Sequence, residues 1–414
     1  MKKNKIIAVF LSVVTLSSLN TNSMFISMPT VLASEQDSIN IINEMVESVE
    51  QKDWPSFIDL MCNEEQEYFQ YYFSSENSTT NGIKQIESMS LESITPVNET
   101  IANDELLVNE YAILNYSDNI ETYLVGLYCN VSVENQYFYN GLNYFNITLA
   151  NENGKMKIVQ FNKPSYYMAT ETLEIEVTDP NYTDKCSAIN SIDASDRGYL
   201  INAEGKDITN DSLNVTTDES NQQSTVYSST NNYSSHPALL TYTNYSAPWS
   251  ICVLMNKVDS NNPSAVEYTF DYYIKNTLPN ECIISTFGTE ALKANAYCVK
   301  GVGLYHSIKP VNTAGGYDVT QYTQNFQVDT SNTISDNIFD NIANKYVVNS
   351  NSKVFFPEYG TGTNGQTGSS KTGRLLQYGS KLLAEQGKTY LQILNYYYSG
   401  SDCSSGDVKI VTIN

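Results

Sequence analysis

Glu281 is the residue of this chain whose type and setting best fit acid–base chemistry. It ends the turn Leu278–Glu281 and is followed by Cys282, Ile283 and Ile284. Cleavage of a glycosidic bond at neutral pH requires a protonated carboxyl group beside the leaving oxygen. Apolar neighbours favour the protonated form of such a group. A general acid at Glu281 is thus compatible with these residues, but taken alone they favour a solvated glutamate in a turn between helices.

Other common catalytic and metal-binding arrangements have little support. The two histidines, His236 and His306, make a histidine-rich metal site or a Ser-His-Asp triad hard to build. We expect no metal and no cofactor. The cysteines are odd in number and contain no C-x-x-C pair, which argues against a disulfide framework or a zinc cage. Mostly buried free thiols are expected at these seven positions: Cys62, Cys129, Cys186, Cys252, Cys282, Cys298 and Cys403.

Two helices are expected to position Glu281. The first is predicted from four residues at helical spacing, and it should stop at Leu278–Pro279 because proline disfavours helix in the residue before it. Those four residues are Val266, Phe270, Tyr273 and Ile274. The second helix should begin near Gly288 and end at about His306. Glu290 then falls in its first turn, where a negative charge suits the helix dipole.

Three further elements are expected towards the C-terminus. Four leucines predict a helix that Gly387 ends: Leu375, Leu376, Leu382 and Leu383. A short helix should follow over residues 390–397, and a final strand over 408–413. Of Tyr396, Tyr397 and Tyr398, we expect one in the core and two at its rim, in packing rather than sugar-binding roles. His306 is expected to interact with the dipole at a helix C-terminus rather than to bind a ligand.

The chain from residue 278 to 398 resembles the sporulation stage II protein D family, which includes the amidase-enhancer proteins. Four segments follow one another in the order of that family: the Leu278–Glu281 turn with the helix Glu290–Ala296, then Tyr317–Phe326, Thr363–Thr367 and Gln377–Tyr398. The resemblance implies an α+β domain over residues 239–414.

The resemblance also implies an activity, that of a peptidoglycan lytic transglycosylase. In such an enzyme one glutamate, here Glu281, protonates the leaving oxygen. It then acts as a base on the sugar's own 6-hydroxyl group, which leaves an anhydro-sugar end. The resemblance further implies five substrate-binding residues: Lys300, Gln324, Thr363, Thr367 and Gln377.

Two departures from the family pattern fall beside the expected groove. Lys300 stands where the family has an arginine, and a point charge cannot reproduce a guanidinium fork. Residues 370–376 lack the histidine of the family's Gly-His-Gly-Val-Gly segment. These departures favour an alternative function, that of a non-catalytic peptidoglycan-binding or amidase-enhancing module with a degenerate active site.

Residues 34–170 are expected to form a second α+β domain. The spacing of Ile42, Met45, Val46 and Val49 predicts one helix, and Pro55 marks the start of another. Strands are predicted at residues 106–108, 123–128, 145–149 and 156–159. Helices followed by an antiparallel sheet resemble the nuclear-transport-factor-2-like cone, which often binds ligands. A third hypothesis therefore makes this domain the ligand-binding part, with the C-terminal domain attaching it to the cell wall.

Residues 171–238 are expected to be a largely disordered linker. The stretch from about Ala203 to Ser235 is rich in Ser, Asn, Thr and acidic residues, and such a composition buries too little surface to offset chain entropy. The preceding stretch, Thr172 to Asn202, is also compatible with a strand and a loop that belong to either neighbour. The fold class of the whole chain is predicted to be α+β.

Residues 1–33 have the pattern of a secretory signal peptide. A basic start precedes the apolar run Ile6–Leu16, which is shorter than the ~20 residues that span a bilayer, and Ala33 suits a cleavage site. We expect a secreted protein, extracellular or associated with the cell wall. Loss of this segment's three lysines would change the net charge from −23 to −26, which disfavours nucleic acid and anionic membranes. The expected partners are peptidoglycan glycan strands and other wall hydrolases, without membrane insertion after cleavage.

Overall fold

The computed structural model describes residues 35–76, 78–105, 120–196, 200–208, 250–255 and 264–412. Within them the protein is an α+β protein with several small sheets, as predicted. The expected signal peptide and the strand predicted at residues 106–108 lie outside the described residues, as do residues 197–199 and 209–238 of the expected linker. In the described part of the chain, no helix is both long and apolar enough to span a membrane.

The N-terminal half, residues 35–208, begins with three helices: α1 (Glu35–Gln51), α2 (Trp54–Leu60) and α3 (Asn63–Ser74). The predicted apolar side of α1 is buried, with Ile42, Met45 and Val49 fully inaccessible. Asp53 caps α2 because its carboxylate accepts from the backbone N–H of Ser56, and Pro55 lies in the first turn as expected.

A four-stranded antiparallel sheet packs against these helices in the order β1-β2-β3-β4. The strands are β1 (Ile86–Pro96), β2 (Ile120–Val131), β3 (Gly141–Glu152) and β4 (Lys155–Asn162). Strands β2, β3 and β4 contain the predicted segments, whereas β1 was not predicted. One face of β3 carries Phe145, Ile147 and Leu149 into the core that the helices cover, which follows from the two-residue period of a strand. The short helix α4 (Glu99–Glu105) lies between β1 and β2.

The prediction of a largely disordered linker over residues 171–238 is wrong for its first part. Two helices follow β4: α5 (Tyr166–Thr172) and α6 (Tyr182–Asp196). Helix α6 is ordered because Ala188, Ile189 and Ile192 pack against the outer face of the sheet. Lys185 also forms ion pairs with Glu92 and Asp179 at 3.0 and 2.8 Å. The described residues of the stretch 172–202 are therefore mainly helical and form no strand other than a single bridge residue, Ile201.

The C-terminal half, residues 250–412, opens with the hairpin β5 (Ser250–Met255) and β6 (Ser264–Thr269), and β7 (Val319–Thr320) pairs parallel with β5. Helix α7 (Phe270–Glu281) follows β6 directly. The predicted helix that included Val266 and stopped at Pro279 is thus wrong at both ends. Val266 pairs with Val253 in the hairpin. Pro279 lies inside the last turn of the helix, where it removes one backbone hydrogen bond without ending the helix.

Helix α8 (Thr289–Ile308) forms the centre of this half, and it confirms the predicted helix from Gly288 to His306. Around it lie α9 (Thr333–Asn341), β8 (Lys345–Val348), β9 (Tyr359–Gly360), β10 (Leu375–Leu376), α10 (Gln377–Glu385), α11 (Tyr390–Tyr398) and β11 (Lys409–Thr412). The predicted final helix and final strand are confirmed as α11 and β11. Leu375 and Leu376 form β10, paired parallel with β9, rather than the start of a helix.

The two halves share a core and several hydrogen bonds. Cys252, Leu254 and Tyr317 of the C-terminal half pack among the apolar residues of α1–α3 and the sheet. Gly316 has a φ of 68°, and a Cβ atom added to it would lie 2.4 Å from the backbone carbonyl of Asn81. The backbones of the two halves therefore meet at a position that only glycine fits.

Candidate active site

Glu281 is the last residue of α7 and lies half-buried in an open cleft of about 360 Å³. The cleft is formed by the end of α7, the connection to α8, the residue after β9 and the start of α10. It is lined by Pro279, Asn280, Glu281, Cys282, Ile283, Ile284, Ser285, Phe287, Thr361, Gln377 and Tyr378. Among these described lining residues, Glu281 carries the one carboxyl group, and apolar side chains form the wall beside it.

Hydrogen bonds hold the end of α7 in place. Asn276 accepts the backbone N–H groups of Thr330 and Ser331 at 2.7 and 2.8 Å. One turn later, Asn280 donates to the Thr330 hydroxyl at 2.8 Å, and the side chain of Asn325 donates to the carbonyl of Asn280 at 2.7 Å. The residue before Glu281 is thus fixed through both its side chain and its backbone.

Gln377 contacts Glu281, as a role in the same site requires. Its Nε2 donates to Oε2 of Glu281 at 3.3 Å from the first turn of α10. Helix α10 is in turn attached to α8, since Asn295 donates to the Ser380 hydroxyl at 2.8 Å and that hydroxyl donates to the carbonyl of Gln377 at 2.7 Å. Of the five residues expected to bind substrate, Gln377 therefore lies in the cleft in contact with Glu281.

Gln324 lies behind the cleft and not in it. It is almost fully buried, accepts from the Tyr273 hydroxyl at 2.7 Å, and donates to the Tyr359 hydroxyl at 3.0 Å and to the carbonyl of Val299 at 3.0 Å. Burial, and then the charge of Glu281, raise the pKa of both tyrosines well above the usual value. The structure thus places Gln324 in a buried network behind Glu281, whereas substrate contact was expected of it.

Lys300 is buried in the protein, whereas it was expected to bind substrate. Its side chain is buried on α8, where Nζ donates to the carbonyl of Ile342 at 2.8 Å and to that of Ala343, and lies 4.0 Å from the centroid of the Tyr346 ring. Burial lowers the pKa of Lys300 to about 7. Lys300 is not among the residues that line the cleft. Its difference from the expected arginine therefore changes core packing rather than the surface around Glu281.

Thr363 and Thr367 lie in the loop between β9 and β10, beside the cleft but outside its lining. Thr363 is exposed and Thr367 half-buried. The loop is joined to the site at Thr361, whose carbonyl accepts the backbone N–H of Tyr378 at 3.1 Å. It is joined to α11 at Thr367, whose carbonyl accepts from the Tyr397 hydroxyl at 2.7 Å.

The expectation for the three tyrosines is wrong, and the expectation for His306 holds only in part. Tyr397 and Tyr398 are both fully buried and Tyr396 is half-buried, so two of the three tyrosines are core residues rather than one. Burial lowers the pKa of His306 to about 4, against the raising effect of the Lys309 carbonyl near its Nδ1 atom. His306 thus lies at the C-terminal end of α8 as expected, but it meets the Lys309 carbonyl as a neutral ring rather than as a positive charge.

Cys282 follows Glu281 but is not an alternative nucleophile. Its thiol is buried, and that burial together with the nearby Glu281 carboxylate raises its pKa to about 12. All seven cysteines are free thiols and five are buried, as predicted. Among the described residues, no group of three His, Cys, Asp or Glu side chains could hold a metal ion.

Sequence reasoning did not single out Phe287 and Thr361 as residues of the site. Phe287 lies between two helices, and its ring centroid is 6.0 Å from that of Tyr378. The isolated aromatic residue in the connection between α7 and α8 was a signal that could have found it. The chain matches no protein-family model and no curated protein.

Proposed function

We propose that this protein is an exported lytic transglycosylase that cleaves the glycan strands of peptidoglycan, with Glu281 as its general acid and base. The observation that carries the proposal is that the described residues of the cleft include a single carboxyl group, held at a helix end and bordered by Ile283, Ile284 and Phe287. The resemblance of residues 278–398 to the sporulation stage II protein D family supports the same choice of residue.

The reaction needs one carboxyl group that acts twice. Protonated Glu281 donates its proton to the glycosidic oxygen as the bond from that oxygen to C1 of the muramyl residue breaks. The resulting carboxylate then removes the proton of the 6-hydroxyl group of that muramyl residue. The oxygen of this hydroxyl group bonds to C1. The products are an anhydro-muramyl end and a free 4-hydroxyl group, and Glu281 is protonated again. No water is consumed.

The composition of the cleft favours this route over hydrolysis. A hydrolase of the usual kind has a second carboxyl group, about 5–5.5 Å from the first when it retains configuration and about 6.5–9.5 Å when it inverts. The described lining offers amides from Asn280 and Gln377, hydroxyl groups from Ser285, Thr361 and Tyr378, and no second acid. An attacking hydroxyl group that belongs to the sugar removes the need for one.

Mass spectrometry of purified glycan strands after incubation with the mature protein tests the proposal. Anhydro-muramyl ends are expected, and each is one water lighter than the reducing end that hydrolysis would leave. Reducing ends would replace the proposed chemistry with hydrolysis. Strands that stay intact but bind the protein would establish the alternative function, a non-catalytic glycan-binding module.

A further inference from the structure

A second, much smaller cavity lies in the N-terminal half, between the end of β4 and helix α6. Its volume is about 10 Å³, close to the smallest that holds one water molecule. The lining includes Lys163 directly after β4, Ser191 and Ser195 of α6, and Tyr139 and Asn143 around the start of β3. The described lining residues contain no carboxyl group, and Lys163 carries their one charge. The cavity therefore has room for a ligand of about one heavy atom beside a positive charge.

The ammonium group of Lys163 has no hydrogen-bond acceptor among the described residues, and its contact is with an aromatic ring. Nζ lies 5.1 Å from the centroid of the Tyr139 ring. Burial lowers the pKa of Lys163 to about 8, against the raising effect of the Cys129 thiol. The charged form therefore still predominates at pH 7. A buried charge without a partner of opposite charge is costly, so this setting favours a bound anion.

This setting distinguishes Lys163 from the two other described lysines whose pKa is lowered by burial. Lys84 donates to the Ser78 hydroxyl, and Lys300 donates to two backbone carbonyls. Both of those ammonium groups thus have acceptors within the protein. Exposed lysines elsewhere in the chain are solvated and need no partner. In the described part of the chain, Lys163 alone combines a pKa lowered by burial with the absence of an acceptor.

Ser195 brings a second unpartnered group to the same cavity. The residue is 8% exposed, and its Oγ atom is buried without a hydrogen-bond partner in the part of the chain that the structure describes. Ser191, one turn earlier, donates to the carbonyl of Asn202 at 3.1 Å. Asn143 uses both ends of its amide on the backbone of residues 139–141. The groups that remain, an ammonium and a hydroxyl, can both donate to a single acceptor.

We propose that this cavity binds a monatomic anion, a halide such as chloride, through Lys163 and Ser195. The ion neutralises the buried ammonium group, accepts from the Ser195 hydroxyl and joins the end of β4 to α6. The size of the cavity excludes phosphate, sulfate and carboxylates, because each of these has several heavy atoms. The inference is independent of the proposed function, since neither residue lines the cleft at Glu281.

Urea titrations in mixtures of sodium chloride and sodium gluconate test the proposal. All mixtures have the same ionic strength, so that the screening of charges stays constant, and gluconate is too large for the cavity. A ligand of the folded state alone raises the ratio of folded to unfolded protein by the factor 1 + [L]/Kd. Above the Kd for chloride, each tenfold rise in chloride should therefore raise this ratio about tenfold.

Two substitutions should change this response. Lys163→Met keeps most of the apolar stem and removes the charge, so the response to chloride should be lost. Ser195→Ala removes one donor and should weaken chloride binding roughly 2- to 10-fold. Lys155→Met is the matched control, because Lys155 is exposed at the start of β4 and does not line the cavity. It should respond to chloride like the parent.

A parent protein that is equally stable in chloride and in gluconate would overturn the proposal, and so would a Lys163→Met variant that keeps the full response. Diffraction from parent crystals soaked in bromide, which scatters anomalously, does not depend on the folding of any variant. An anomalous peak between Nζ of Lys163 and Oγ of Ser195 is expected. The absence of a peak there would show that the cavity holds water at most, which would also overturn the proposal.

Discussion

The carboxyl groups of Glu281 and Asp318 lie in opposite settings, although both belong to the C-terminal half. Glu281 opens onto a cleft, where Gln377 donates to it at 3.3 Å. Asp318 is fully buried where the two halves meet. It accepts from the Tyr137 hydroxyl at 2.8 Å, from the backbone N–H of Cys252 at 2.8 Å and from Gln136 at 3.3 Å. The first group can reach a substrate, and the second is enclosed by donors of the protein.

Burial raises the pKa of Asp318 from 3.8 to about 7, despite three hydrogen bonds that act to lower it. A value in that range is typical of a general acid. Asp318 nevertheless has no access to solvent. Its raised pKa is therefore caused by its burial where the two halves meet and does not indicate a catalytic role. Access from a cleft, rather than a perturbed pKa, is therefore what separates a candidate catalytic carboxyl from a structural one in this molecule.

The largest effect is expected from Glu281→Gln. The amide keeps the shape of the side chain but cannot deliver a proton, and a general acid–base group typically contributes ~10²- to 10⁴-fold. Turnover of glycan strands should fall by that factor, while the midpoint of thermal unfolding stays close to that of the parent. The rate of formation of anhydro-muramyl ends measures the first quantity and circular dichroism the second.

Glu290→Gln serves as the control for that substitution. Glu290 lies in the first turn of α8, pairs with Lys293 and accepts the backbone N–H of Tyr390 at 2.8 Å. Loss of a charge there should cost about 0.3–1 kcal/mol of stability and leave the rate unchanged. If Glu281→Gln cleaves strands as fast as Glu290→Gln does, Glu281 is not the catalytic acid.

Asp318→Ala should have the reverse pattern, with a loss of stability and no direct effect on chemistry. It leaves the Tyr137 hydroxyl and the Cys252 N–H buried without their acceptor, at a cost of about 2–4 kcal/mol in the free energy of unfolding. Asp336→Ala, a half-exposed acid in the first turn of α9, should cost less than about 1 kcal/mol. Urea titration compares the free energies of unfolding of the two variants. Equal losses would show that the contacts of Asp318 stabilise the protein no more than an acid in the first turn of a helix does.

Two glycines allow the contact between the halves to be compared with the loop beside the cleft. Gly316 and Gly365 both have positive φ, 68° and 79°, so alanine is strained at either position, by roughly 1–2 kcal/mol. A Cβ atom at Gly316 would also meet the backbone of Asn81, whereas at Gly365 it meets nothing within 4 Å. Gly316→Ala should therefore be less stable than Gly365→Ala by about 1–3 kcal/mol, the usual cost of overpacking. Similar urea midpoints for the two variants would contradict the close approach of the halves.

The parts of the fold that could be predicted from the sequence are those that local patterns determine. The periodic apolar side of α1 and the Ala- and Leu-rich α8 both depend on neighbours a few residues away. Other features depend on distant partners. The helical spacing of Val266 and Phe270 predicts a helix where β6 lies. Val266 instead pairs with Val253 of β5, and the spacing of residues within one segment does not indicate such a pairing.

The same distinction applies to the site. The contact between Glu281 and Gln377 joins two segments that were both expected to contribute to one site. The placement of Lys300 and Gln324 was not predictable, because both side chains are turned into the protein by acceptors elsewhere in the chain: the carbonyls of Ile342 and Ala343 for Lys300, and the Tyr359 hydroxyl for Gln324. The position of a residue within a motif does not determine whether its side chain faces the cleft or the interior of the protein.

The pH dependence of stability is expected to reflect Asp318. Its pKa is 3.8 when unperturbed and about 7 in the folded protein, so between these values the folded state holds a proton that the unfolded state has released. The stabilisation is therefore fully present below about pH 4, falls as the pH rises, and is lost above about pH 7. The slope for this group is at most about 1.4 kcal/mol per pH unit.

Asp318→Asn removes this contribution, because an amide cannot ionise in either state. The free energy of unfolding of the parent should therefore fall relative to that of Asp318→Asn as the pH rises from about 4 to about 7. Urea titrations of both proteins at several pH values measure that difference. A difference that stays constant would show that Asp318 is ionised in the folded protein throughout this range. Burial would then not raise the pKa of Asp318.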